Sequence, residues 1–195
     1  KCRTFVFDCN KMAKEQKISG EEAGRNARYQ SFAEVCESLV SKGIKREKIR
    51  IAVAQNADDQ SETILFRILR GVGTDGLSGI DYKRYDSYGN LIIRPLLDVT
   101  RGGIMEYCDE NHLEPRIDKT NLQPIYTRNK IRINLIPYLE REYNLNLKDT
   151  INRMGKIAKT DKEFIWQEAL KEYDLAVKSK TSTCIILNDQ RLKTL

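Results

Sequence analysis

Two stretches of this sequence gather side chains that can do chemistry. The first, Gln55-Asn-Ala-Asp-Asp-Gln-Ser-Glu-Thr63, places three carboxylates, Asp58, Asp59 and Glu62, directly after the β-branched run Ile49-Arg-Ile-Ala-Val-Ala54. Ligands of open α/β sheets bind at the carboxyl edge of the strands, and acids there suit a cation or an amine. Asp58 or Asp59 can instead cap the helix that follows, the usual task of aspartate in that place. Capping does not account for Glu62, which falls on the same helix face at spacings of four and three. A binding site and a solvated surface therefore both stay open for this stretch. The second stretch is Tyr126-Thr-Arg-Asn-Lys-Ile-Arg132, inside a segment, 119–139, that holds Lys119, Arg128, Lys130 and Arg132 and no acid. Arginine can fork onto phosphate or carboxylate, with exposed helix charge as the alternative. Arg25 and Arg28, three apart on a helix, pose the same choice.

Gly71-Val-Gly-Thr-Asp-Gly76 matches GxGxxG, but the dinucleotide fingerprint needs a strand before it and here a helix precedes. It reads as a helix C-cap and loop, whose amides can also line an anionic site beside Arg70. The single histidine, His112, excludes multi-histidine metal sites and reads as a surface residue at a helix end.

The elements that must position these residues follow from periodicity. Arg3-Thr-Phe-Val-Phe-Asp8 alternates like a strand, and Ser19-Gly-Glu-Glu22 reads as a capping box opening a helix that stops near Gly43. Ile49–Ala54 reads as a strand buried on both faces, leading into a helix that runs to residue 70, and Leu91-Ile-Ile-Arg94 as a further strand. This is an α/β pattern with a partial parallel sheet and flanking helices. From about residue 104 helical spacing takes over. One helix lies around Ile104, Tyr107 and Cys108, and a second spans Tyr126 to Tyr143 unless Pro137 breaks it. A long one, 147–178, carries an apolar stripe from Ile151 to Val177. The expected organisation is a nucleotide-binding part, 1–103, and a mostly helical part, 104–195, with Gly102-Gly103 as a joint.

Composition bounds the rest. The chain has 195 residues, 34 Lys+Arg against 28 Asp+Glu, a net charge of +6 and five scattered cysteines without a CxxC. The two halves each carry +3, so no basic tail exists, and a polyanionic partner is suited but not demanded. No zinc ribbon or disulfide framework is encoded, a reducing cytosol is the natural reading, and no apolar run is long enough for a membrane span.

Taken together, EEAGRNARY, DDQSETILFRILRGVGTDGLSGI, IIRPLLDVTR, EPRIDKTN and YTRNKIRINLIPYLE, in this order, resemble the tRNA(Ile)-lysidine synthetases, within the N-type ATP pyrophosphatases or PP-loop ATPases. The likeness covers about residues 3–145. It implies an adenine nucleotide alpha-hydrolase-like, Rossmann-like fold and a bacterial, cytoplasmic ligase forming a carbon–nitrogen bond. ATP with Mg²⁺ would adenylate C2 of the wobble cytidine in a tRNA(Ile) with a CAU anticodon. Free L-lysine would then displace AMP; a homodimer is left open.

The resemblance also implies roles. Asp59 and Glu62 would hold an ammonium of lysine and Arg132 its carboxylate. Arg28 would face the phosphates, and Arg70, Gly71 and Gly73 would flank them. Asp118, Asn121, Arg128 and Asn129 match second-domain motifs of structural or tRNA-side role. Gln55 and Asn56 occupy places where the family usually carries histidine; they can hydrogen-bond phosphate but cannot take a proton near neutral pH.

The family's Ser-Gly-Gly-x-Asp-Ser loop, which would supply the main Mg²⁺ ligands, does not occur in this sequence. The expectation is an internal piece of a synthetase, inactive by itself. Another PP-loop tRNA-modifying enzyme of the thiolase type and a degenerate tRNA-binding module stand as the other readings. Residues 1–195 alone are expected to release no AMP when supplied with ATP, lysine and tRNA; robust lysine-dependent release in a nucleotide assay would contradict this.

Overall fold

A computed structural model describes residues 2–116 and 127–193. Two compact units emerge: Lys1–Gln55 with Asp81–Leu96, and Asn56–Ile80 with Leu97–Leu195.

In the first unit, α1 (Cys9–Gln16) starts where Asp8 accepts a hydrogen bond from the Lys11 amide at 2.9 Å. The strand expected over Arg3–Asp8 does not form. A strand needs a neighbour to satisfy its amides, none pairs with it among the described residues, and Val6 stands 92% exposed. Helix α2 (Gly20–Val40) begins as expected at Ser19, whose hydroxyl accepts from the Glu22 amide. Among the described residues the Glu22 carboxylate makes no return bond, so the box is half-formed. The helix gives way near Gly43, which takes φ +86.

A three-stranded sheet follows, with β1 (Ile51–Ala52), β2 (Lys83–Tyr85) and β3 (Leu91–Ile93) in the order β1-β3-β2. β1 and β3 are parallel, with Ile51 beside Ile92, and the Val53 amide extends the pairing to Ile93. β2, not anticipated from its charged sequence, pairs antiparallel to β3. Its turn is held by Asp86, which accepts from the amides of Tyr88 and Asn90. β1 is buried on one face and not both: Ile51 is buried, whereas Ala52 and Ala54 are exposed. The covered face packs Ile49, Ile51 and Ile92 against Cys36, flanked by Tyr29, Phe32 and Leu39 of α2.

The second unit is helical around α3 (Ala57–Ile68), followed by the short α4 (Thr74–Leu77). Gly71 and Gly79 adopt positive φ on either side of α4, so the glycine run serves as helix end and loop. Gly102 and Gly103 are not a joint: they lie in the first turn of α5 (Arg101–Glu110), where the Gly103 amide donates to Thr100. His112 is exposed just beyond this helix.

Pro137 does not break the next helical stretch. After α6 (Thr127–Lys130) the chain widens into a π-helical turn over Ile131–Leu135 and continues as α7 (Ile136–Glu142). The wider turn lies directly before the proline, whose missing N–H and bulky ring disrupt normal helical bonding. It also brings Ile131 and Ile136, five apart, to the same core with Ile64, Leu65 and Ile151.

Helix α8 (Leu147–Ala176) matches the expected long helix, but only Ile151, Gly155 and Ala176 on it are buried. Its outer apolar residues, including Ile157, Phe164 and Ile165, are exposed. A hairpin of β4 (Val177–Lys180) and β5 (Ile185–Leu187) and a short α9 (Asp189–Leu192) follow, so strands return after residue 104. No helix among the described residues is long and apolar enough to cross a membrane.

Gly155 lets α8 pass close to Ile64 and to the end of α4. A Cβ there would lie 2.5 Å from Ile64 Cδ1 and 3.3 Å from the Leu77 carbonyl oxygen. Overpacking at such a crossing typically costs about 1–3 kcal/mol, so Gly155→Val is expected to lower stability by that amount in denaturant unfolding.

Candidate functional site

The start of α3 assembles the acids. Asn56 is its N-cap: the Asn56 side-chain oxygen accepts from the Asp59 amide at 3.0 Å, and Asp59 accepts in return from the Asn56 amide at 3.1 Å. This capping box fixes Asp59, and one turn on, Glu62 points inward and is only 2% exposed. A carboxylate so buried requires compensating charge. Arg132 supplies it with two bonds, Nε to Oε1 at 2.5 Å and Nη2 to Oε2 at 2.8 Å, and Arg128 adds Nε to Oε2 at 3.2 Å. Both arginines also reach Asp59 Oδ1, at 3.0 Å from Arg128 and 3.2 Å from Arg132. The result is a quartet of two acids and two arginines. Its hydrogen bonds to Glu62 hold the Arg132 guanidinium above the ordinary arginine value, against the opposing effect of burial.

Asp58 faces elsewhere. It caps a different helix, accepting from the Arg101 amide at 2.7 Å, and it pairs with Lys148 of α8 at 3.0 Å. Burial by itself would raise the Asp58 carboxyl, but the Arg101 amide and the Lys148 ammonium outweigh it and hold it below the usual carboxylate value. Burial likewise opposes the Lys148 charge, and Asp58, Glu140 and Glu62 raise it nonetheless. The glycine loop is tied to the same helix. Arg67 donates to the carbonyls of Gly76 and Gly79, at 3.1 and 2.6 Å, and Gln60 bonds both backbone groups of Ile80. Arg70 is exposed and rests over the Phe66 ring.

In the first unit, a separate arginine group surrounds Tyr29. The guanidiniums of Arg25 and Arg84 lie 5.6 and 5.3 Å from its ring centroid, and Arg84 donates to its hydroxyl at 2.8 Å. Arg94, 5% exposed at the carboxyl end of β3, donates to Gln55 and to the Asp81 carbonyl. Burial, and secondarily Arg84 and Arg25, push its guanidinium below the ordinary value despite Tyr29 and Asp81. Among the described residues none of Arg25, Arg28, Arg84 or Arg94 has an ion pair with a carboxylate. Arg28 is exposed on α2.

Of the residues singled out from sequence, Asp59, Glu62 and Arg132 come together as expected, joined by Arg128, for which a structural or tRNA-side role was expected. Asn56 is engaged as a helix cap and Gln55 by Arg94; Gly71 and Gly73 sit at the ends of the loop before α4. Asn129 lies on α6, and Asp118 and Asn121 fall outside the described residues. Sequence reading missed Lys148, Arg84 and Arg94. Arg94 carried a signal, a charge ending an apolar strand, whereas nothing in its spacing linked Lys148 to Asp58, ninety positions away in the chain. An apolar cleft of ≈ 510 Å³ lined by Leu69, Lys130, Asn134 and Tyr138 contains none of the quartet. Among the described residues no group of three or more His, Cys, Asp or Glu is arranged to hold a metal.

The Asp58–Lys148 pair makes stability depend on pH at both extremes. Asp58 contributes above its unfolded value of 3.8, and that contribution is lost as pH falls through its lower folded value. Lys148 contributes below 10.5, and loses its contribution as pH rises through its higher folded value. Denaturant unfolding should therefore find Asp58→Asn less stable than the parent near neutrality, with the difference closing in strong acid.

A family described as the PP-loop domain matches residues 2–139. The chain is similar to the tRNA(Ile)-lysidine synthase of Clostridium acetobutylicum, 44% identical over 168 residues, which cover 86% of this chain and 34% of that protein. The enzyme of the same name from Clostridioides difficile is 45% identical over 167 residues, 85% of this chain and 34% of that protein. That of Bacillus subtilis is 29% identical over 194 residues, 100% of this chain and 39% of that protein. The chain spans about a third of the length of the curated relatives it matches. The matched segment takes in the parallel β1–β3 pair, the capped start of α3 and both arginines that meet Glu62, and on that footing the chain belongs to the PP-loop domain family.

Proposed function

We propose that this chain forms part of a tRNA(Ile)-lysidine synthase and contributes its amino-acid site. The quartet of Asp59, Glu62, Arg128 and Arg132 carries the reading. A free amino acid brings an ammonium and a carboxylate, and the quartet offers opposite partners for both within one turn of α3. Glu62 and Asp59 would take the ammonium of lysine while Arg132 turns to its carboxylate, an exchange of one set of charge-assisted bonds for another.

The reaction class follows the relatives' name. ATP adenylates the C2 oxygen of the wobble cytidine in an isoleucine tRNA and releases pyrophosphate, and the lysine ε-amine then attacks C2 as AMP departs. Arg28, with Arg25, Arg84 and Arg94, none of which has a carboxylate partner among the described residues, suits phosphate groups of ATP or tRNA, because fixed guanidiniums offset charge that grows on phosphate oxygens. Arg70, Gly71 and Gly73 would border the nucleotide. Gln55 is held by Arg94 and is assigned positioning, not proton transfer. Arg128 would support the amino-acid site, and Asn129, Asp118 and Asn121 would serve structural or tRNA-side roles.

Mg²⁺ is the ion such ATP chemistry implies. Asp58 turns away to Arg101 and Lys148, and among the described residues no group of three or more His, Cys, Asp or Glu is arranged to hold a metal, so these residues do not fit a divalent ion and no step is assigned to one.

In the complete protein, Glu62→Ala is expected to raise the apparent KM for lysine by about tenfold or more while changing that for ATP far less. Equal effects on both substrates in steady-state AMP release would overturn the assignment.

A further inference from the structure

Three carboxylates crowd the opening of α3, yet only two belong to the quartet. Both oxygens of the third are occupied from other elements. Asp58 Oδ2 accepts from the first amide of α5 at 2.7 Å, and Oδ1 meets Lys148 Nζ at 3.0 Å. Lys148 is only partly exposed and has Glu140 of α7 at 3.9 Å as a second acid. One turn further along α8, Asn152 donates to the Ala57 carbonyl at 3.0 Å, immediately before Asp58 in sequence. The Asn152 Oδ1 is buried and, among the described residues, accepts no hydrogen bond. A buried amide oxygen left unsatisfied is costly, so Asn152 is tolerated there for its donor. The Ala57 amide itself donates to the Val99 carbonyl at 2.9 Å. The first turn of α3 is thus gripped at its amide, its carbonyl and its extra carboxylate, and α8 provides two of the three grips.

The charges explain why an ammonium belongs on Asp58. Asp58 and Asp59 are adjacent, and Glu62 is one turn away. Without a resident cation Asp58 would be a third negative group beside the quartet, able to draw off a ligand's ammonium or one of the arginines. We infer that Lys148, seconded by Asn152, is a positioning residue for the amino-acid site: it neutralises Asp58 and fixes the first turn of α3, so that Asp59 and Glu62 alone present to the ligand. This rests on the amino-acid-binding reading of the quartet.

The test compares variants of the complete protein in steady-state assays of AMP release, with lysine and ATP varied separately. Lys148→Met should raise the apparent KM for lysine about fivefold, the scale of one partly exposed ion pair, with that for ATP unchanged. Lys148→Arg should recover most of the loss. The double variant Asp58→Asn with Lys148→Met should also recover part of it, since the stray charge is then gone; loss of folded protein alone would lower the maximal rate and leave the KM for lysine unchanged. Unchanged lysine dependence in Lys148→Met, or a double variant no better than Lys148→Met, would overturn the inference. Glu62→Gln serves as the control: if it raises the lysine KM while Lys148→Met does not, the positioning role fails and the site assignment stands. If Glu62→Gln has no effect on lysine, the site assignment itself fails.

Discussion

The buried carboxylate of Glu62 sets the terms for the second unit. A charge that is 2% exposed is tolerable only with partners close by, and those partners come from residues sixty-six and seventy positions later in the chain. Bringing Arg128 and Arg132 onto α3 in turn requires the helical stretch around Pro137 to seat Ile131 and Ile136 on the core of Ile64, Leu65 and Ile151. The same packing that stabilises the unit therefore delivers the arginines. Electrostatic need and apolar burial are met by neighbouring residues of the same helices, and each depends on the other.

The π-helical turn links the two demands. A regular α-helix would present residues four apart to one side, whereas the wider turn aligns Ile131 with Ile136 and keeps Arg128 and Arg132 facing the acids. Proline supplies the local reason for the wide turn, since it has no amide to give. A residue that usually interrupts a helix here sits where the backbone already departs from regular bonding, close to the charged quartet. Such departures recur near functional sites.

The arginine group around Tyr29 obeys the opposite logic. There the guanidiniums are stacked on a ring and bonded to neutral oxygens, with no carboxylate paired to them among the described residues. In the quartet the cations are saturated by acids; around Tyr29, among the described residues, none is paired with a carboxylate. The contrast between the two patterns supports the proposed amino-acid role of one group and phosphate role of the other without any appeal to the overall charge of the chain.

Much of this was legible in the sequence. The helix starts at Ser19 and after Gln55 and the parallel pairing of the two apolar runs follow from local chemistry and periodicity, which act over a few residues, whereas the meeting of Asp59 and Glu62 with Arg132 spans seventy positions or more and was not foreseen as an ion pair. The strand over Arg3–Asp8, the burial of β1 on both faces and the joint at Gly102 were misjudged because each depends on a neighbour that periodicity cannot reveal. By itself the sequence determined which groups could carry charge, where helices could start and which faces were apolar. Only the tertiary structure decided that Asn56 and not an aspartate caps α3, that Asp58 answers to Lys148 and that Arg128 shares Glu62 with Arg132. Ion pairs between distant residues are chosen by the packing of the helices that carry them, and that packing is a property of the whole unit.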